Sequence, residues 1–103
     1  MKLTVIGCSS GTPSGQCSTS SYLIESNGKG YLLDTGDGTA AAIQRLGIDT
    51  NDIENIFISH MHSDHSMGLP LLVQMMKGYK REKHLNVYLP REAEDGFKRL
   101  LYM

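Results

Sequence analysis

The chain opens on a short apolar run, Leu3 to Ile6, which reads as a buried strand. Behind it, Cys8 to Ser20 is rich in Ser, Gly and Thr and shows no apolar period. An irregular stretch of about a dozen residues is either a connector or the rim of a site, and its residues leave both readings open. Two runs of alternating character follow, Ser21 to Ser26 and Lys29 to Asp34. The Asn27-Gly28 pair between them accepts the positive φ angles of a type I′ turn, so the runs predict a hairpin. Asp34-Thr35-Gly36-Asp37-Gly38 breaks the second strand. Thr39 to Leu46 then collects strong helix formers ahead of Gly47, which suits a C-terminal cap.

Ile53 to Ser59, with Ile53, Ile56, Phe57 and Ile58, predicts another buried strand. Leu69 to Gly78 predicts a helix with Pro70 in its first turn, and Leu85 to Leu89 a short strand. Pro90 opens a last helix, in which Glu92, Glu94 and Asp95 precede Lys98 and Arg99, as the helix dipole favours. Ala93, Phe97, Leu100 and Leu101 form its apolar stripe. Three strands, then helix, strand, helix, strand, helix, make an α/β domain whose mixed sheet begins with a hairpin and continues in strand-helix units. Helices after the third and fourth strands cover one face of the sheet. The other apolar face is left needing a partner.

Composition bounds this picture without redirecting it. A length of 103 residues allows one domain, residues 1–103, and 40% apolar with 20% charged residues is ordinary for a globular chain. No run approaches the roughly 18 apolar residues of a membrane span, so no membrane partner is expected. Four apolar residues after Lys2 fall short of a secretory leader, and Cys8 and Cys17 are then expected as reduced thiols in a cytoplasmic protein. The net charge of −1 argues against non-specific polyanion binding, yet it is unevenly spread. Residues 1–70 hold three Lys/Arg against seven Asp/Glu, and residues 71–103 seven against four, so only the second stretch favours phosphate. Within it, Lys77 to Lys83 has four basic residues and Tyr79. Contact with RNA is one reading; a solvated helix end is the expected one. Met67, Met75 and Met76 are expected in the core, and Gly11 to Gly15 lacks the Lys-Ser/Thr of a phosphate-binding loop.

The chemistry is concentrated in His60-Met61-His62-Ser63-Asp64-His65, which puts four potential ligands within six residues directly behind a strand. Side chains at i and i+2 of an extended segment point the same way, so His60 and His62 can reach one metal ion. The turn that follows aims Asp64 and His65 at a second. Neutral imidazoles with one carboxylate suit zinc first, with manganese or iron as alternatives. His84, the remaining histidine, stands among Glu82, Lys83 and Arg81 and is expected at the surface.

The run His60-x-His62-x-Asp64-His65 behind Asn55 to Ser59 resembles the signature of the metallo-β-lactamase superfamily. Its continuation Ser66-Met67-Gly68-Leu69-Pro70 is similar to the ribonuclease Z branch and related phosphodiesterases, and Leu32 to Gly38 is similar to the superfamily's earlier Asp-x-Gly motif. The resemblance implies the N-terminal half of an αββα sandwich, with the second half absent from these 103 residues. It implies His60 and His62 as ligands of one zinc ion and Asp64 and His65 as ligands of the other, Asp64 also accepting a proton. Asp34 is implied as a buried supporting carboxylate that orients the histidine segment, against the plainer reading of a turn-forming Asp. The implied activity is metal-dependent hydrolysis, with RNA or a small phosphodiester as substrate and esters or lactones as the alternative. The superfamily completes its site with ligands from the second half, so the chain alone is expected to be inactive and to associate, either with that half or as a homo-oligomer. A non-catalytic, self-associating fragment is the contrasting expectation.

Overall fold

The computed structural model describes residues 1–9, 18–59, 66, 68–79, 81 and 83–101, with backbone alone at 8, 9, 18, 19, 100 and 101. Strands β1 (Lys2–Ser9), β2 (Ser18–Thr19), β3 (Ser21–Ser26), β4 (Lys29–Leu33), β5 (Ile53–Phe57) and β6 (Asn86–Tyr88) form one sheet, in the order β2-β1-β3-β4-β5-β6. The hairpin of β3 and β4 turns on Asn27 and Gly28 at φ 53 and 76, the two positive angles that a type I′ turn requires. β4, β5 and β6 run parallel to one another, so each connection between them is a crossover. These crossovers carry helices α1 (Thr39–Arg45) and α2 (Leu69–Gly78); α3 (Glu94–Leu101) follows β6. Parallel crossovers share one hand, and successive steps in one direction across a sheet therefore place their helices on one face.

The core lies between that face and the helices. Leu23, Leu32 and Ile56, one from each of three adjacent strands, are fully buried under Ile43 of α1 and Leu72 of α2, with Met76 and Phe97 closing the layer. Burying side chains of this size stabilises by roughly 1.5–3 kcal/mol each. On the opposite face the cross-strand registers align Leu3, Ile24 and Tyr31, and beside them Val5, Tyr22, Leu33, Phe57 and Tyr88. Leu3, Val5, Phe57 and Tyr88 there are 63%, 53%, 38% and 50% exposed. The expected two-faced sheet, with helices on one side, is what the chain forms.

Several local expectations change. Leu3 to Ile6 is not a buried run, because Leu3 and Val5 sit on the open face and only Ile6 of the alternating pair enters the core. β2 adds a sixth strand, a two-residue parallel addition to β1 that lacks an apolar pattern of its own. β4 stops at Leu33 because Asp34 turns to φ 61. β5 stops at Phe57, and β6 spans only Asn86–Tyr88. Pro90 opens a 3-10 turn, Arg91–Ala93, before α3 begins. Met75 and Met76 pack as core residues; Met67 lies outside the described residues, as do Gly11 to Gly15, Cys17 and the side chains of Cys8, Leu100 and Leu101. Among the described residues no helix is long and apolar enough to cross a membrane.

Candidate metal centre

His60, His62, Asp64 and His65 lie outside the described residues; the structure defines the frame on which their segment begins and ends. It begins directly behind β5 and opposite the end of β4, at the carboxyl ends of parallel strands, where α/β sheets bind their ligands. Asp34 closes β4 there. Its N–H continues the ladder by donating to the Phe57 carbonyl at 2.8 Å, and its left-handed backbone is one that Asp tolerates better than most residues. The turn brings its carboxylate against Ser59. Asp34 Oδ1 accepts from the Ser59 N–H at 2.7 Å, and the Ser59 hydroxyl lies 3.0 Å from Oδ1 and 2.9 Å from Oδ2. The residue in front of His60 is therefore held by a charged acceptor 25 positions earlier in the chain.

The far end of the segment rests on the next two residues of the same turn. Gly68 N–H donates to the Thr35 carbonyl at 2.8 Å, and a Cβ on Gly68 would overlap the Gly36 carbonyl oxygen. Only glycine permits that approach. Gly36 is fixed in turn: its N–H reaches the Ser20 carbonyl at 2.9 Å, and its carbonyl accepts the Thr39 hydroxyl at 2.6 Å. The two described flanks, Ser59 and Gly68, are thus held by consecutive residues of one turn, Ser59 by Asp34 and Gly68 by Thr35 and Gly36. A plain turn-forming Asp does not account for the bonds to Ser59, and the expectation of a buried carboxylate needs one correction. The residue is half-buried and not buried.

Two hydroxyls beside this frame, Ser21 Oγ and Thr35 Oγ1, are fully buried and have no hydrogen-bond partner among the described residues. An unpaired buried hydroxyl costs roughly 1–3 kcal/mol. Neither residue carried a signal in the sequence, and Ser59 was marked only by its place before His60.

His84 is exposed and precedes β6, at the opposite end of the parallel strands from the histidine segment. The basic stretch departs from the expected solvated helix end at Arg81. Its guanidinium donates to the carbonyls of Lys83 at 3.1 Å, His84 at 3.2 Å and Thr50, a use of the planar fork that joins the loop before β6 to the turn before β5. Tyr79 is exposed, and its hydroxyl accepts from Gln44.

A family model described as "Anti-Pycsar protein Apyc1" matches residues 1–101. The chain belongs to the Anti-Pycsar protein Apyc1 family. Among curated proteins it is similar to ribonuclease Z of Streptomyces coelicolor, 32% identical over 101 residues, which cover 98% of this chain and 34% of the relative. Among solved structures, human tRNase Z, short form, superposes with a TM-score of 0.90 at 27% identity, covering 99% of this chain and 40% of that one. The metallo-β-lactamase fold protein YhfI from Bacillus subtilis superposes at 0.78 and 28% identity, covering 98% of this chain and 42% of that one. This member of the Apyc1 family therefore has the metallo-β-lactamase fold and ribonuclease Z relatives, as its motifs implied. It spans about a third of the length of the curated relatives it matches.

Proposed function

We propose that this chain carries the first ligands of a metal-dependent phosphodiesterase: His60 and His62 for one ion, Asp64 and His65 for the other, with zinc preferred and manganese or iron as alternatives. The observation that carries the reading is the two-ended clamp. Asp34 holds Ser59 and the Thr35-Gly36 backbone receives Gly68, so both flanks of the sequence that carries three imidazoles and a carboxylate are anchored at the carboxyl ends of β4 and β5. The donor set fits borderline-soft divalent ions, and the frame supplies the fixed backbone that ligand geometry needs.

A pair of such ions supplies nucleophile activation near neutral pH and stabilises charge on the attacked phosphorus. The residues of the chain do the rest. The imidazoles orient the site, the clamp keeps their spacing, and Asp64 holds a proton at its carboxylate. RNA or a small phosphodiester is the substrate class, in keeping with ribonuclease Z relatives. Four donors shared between two ions leave each with about two, below the three typical of catalytic zinc. The remaining donors come from a second half-domain, whose sheet covers the open face of Leu3, Val5, Phe57 and Tyr88.

Hydrolysis of bis(p-nitrophenyl) phosphate tests the reading. The intact protein hydrolyses it in a metal-dependent way that Asp64→Ala abolishes, and the 103-residue chain alone shows little turnover. Chelator-sensitive turnover by the monomeric chain, surviving dilution, overturns the incomplete site. Unchanged activity in Asp64→Ala overturns the assignment of that residue.

A further inference from the structure

The open face of the sheet changes character towards the amino ends of β4, β5 and β6. Its row Leu33, Phe57 and Tyr88 is apolar and aromatic, with the two rings stacked. Two residues earlier on each strand the row is Tyr31, Asn55 and Asn86, and before these stand Lys29, Lys83 and His84, all exposed. The rows line one open cavity of about 540 Å³, with Phe57 and Tyr88 on its inner side. That volume falls within the roughly 300–1,000 Å³ of small-molecule sites. Asparagine is depleted from strands, so two that face each other across β5 and β6 need a cause. Asn86 Nδ2 donates to Asn55 Oδ1 at 3.2 Å. This bond leaves the N–H groups of the Asn55 amide and the carbonyl oxygen of the Asn86 amide without a partner among the described residues. Turning both amides over exchanges their roles and keeps a donor beside an acceptor.

We infer that this corner of the sheet binds a nucleotide, its base edge held by Asn55 and Asn86, its base face by Tyr31 and its phosphate by Lys29 and Lys83. An adjacent donor and acceptor beside an aromatic ring match the edge and the face of a nucleobase. The rim supplies the charge: Glu54 also lines the cavity, 4.0 Å from Lys83, and the two lysines outweigh it. A free mononucleotide and a nucleotide within a single RNA strand share this chemistry. The site lies at the opposite end of the parallel strands from the histidine segment and uses none of the proposed metal ligands, so it stands or falls apart from the metal centre.

Equilibrium dialysis of AMP against the intact protein, with and without chelator, tests it, adenosine and inorganic phosphate being separate probes. AMP should bind at least about tenfold more tightly than either part and do so with chelator present. Lys29→Gln combined with Lys83→Gln, both at exposed positions, should bring AMP down to the affinity of adenosine and leave adenosine unchanged. Asn55→Thr combined with Asn86→Thr, a pair suited to strands, should weaken AMP and adenosine alike by at least about tenfold. If the asparagine variant fails to fold, the lysine variant decides alone. A short single-stranded RNA that displaces AMP identifies the strand as the source of the nucleotide, and one that leaves AMP bound identifies the free nucleotide. Absence of AMP binding at millimolar concentration, or equal binding by wild type and the lysine variant, overturns the site. Binding that chelator abolishes belongs to the metal centre and overturns it too.

Discussion

Asp34 combines two properties that pull against each other, a left-handed backbone and a carboxylate held by three contacts to Ser59. The contacts offset the conformation. Asp34→Ala places a Cβ-bearing residue with no local polar group at φ 61 and removes the acceptor of the Ser59 N–H, so it should destabilise the protein by about 1–3 kcal/mol in urea unfolding. Asp34→Asn tolerates the backbone and keeps one carbonyl acceptor, so its loss should be about 1 kcal/mol. Equal stability of Asp34→Ala and wild type would show that the clamp is idle. The same scale shows what a sequence conceals. Asp34 was recognisable from the motif around it, but its partner stands 25 positions later and Thr35 bonds to Gly68 through backbone, which no residue type announces. Arg81 was hidden for the same reason: a basic residue among basic residues gives no sign that three carbonyls converge on it.

Elements were legible where a local rule sets them. Asn27-Gly28 fixed the hairpin turn, Pro70 and the apolar spacing bounded α2 at Leu69–Gly78, and Gly47 stands at φ 69 just past α1. They were obscure where the sheet decides. β2 exists only through its pairing with β1, and β4 ends one residue early because Asp34 turns to φ 61, which brings its carboxylate to Ser59. The entry to α2 depends on such a tertiary contact. Gly68 caps that helix with an ordinary φ of −78, so alanine there meets no backbone strain, only the Gly36 carbonyl. Gly68→Ala should therefore cost about 1–3 kcal/mol in thermal or urea unfolding by forcing α2 away from the turn, and should lower metal occupancy with it. Gly78→Ala is the control, since nothing lies within 4 Å of a Cβ at that position. Equal effects of the two would contradict a close approach at Gly68.

For the whole molecule, the two faces of one sheet set its behaviour. One is closed by three helices; the other presents Leu3, Val5, Phe57 and Tyr88, with the Phe57 and Tyr88 rings stacked at a centroid distance of 4.6 Å and an interplanar angle of 8°. An open apolar face of this kind drives association. The 103-residue chain should run as a dimer or larger in light scattering at micromolar concentration, and Phe57→Lys should shift it to monomer without lowering its melting temperature by more than about 2 °C. A monodisperse wild-type monomer would show that the face needs no cover. The alternation that opens this face was written in β1 as Leu3-Thr4-Val5-Ile6, although an apolar run so short does not distinguish one buried face from two.

The central claim is that the segment framed by Asp34, Thr35 and Gly36 holds metal, and elemental analysis of purified variants of the intact protein addresses it directly. His60→Ala and His62→Ala should each lower bound metal by at least half relative to wild type, because one of about two donors to an ion is lost. His84→Ala should match wild type, since His84 is exposed at the other end of the parallel strands. Equal loss in all three variants, or full metal content in His60→Ala and His62→Ala, would contradict the account.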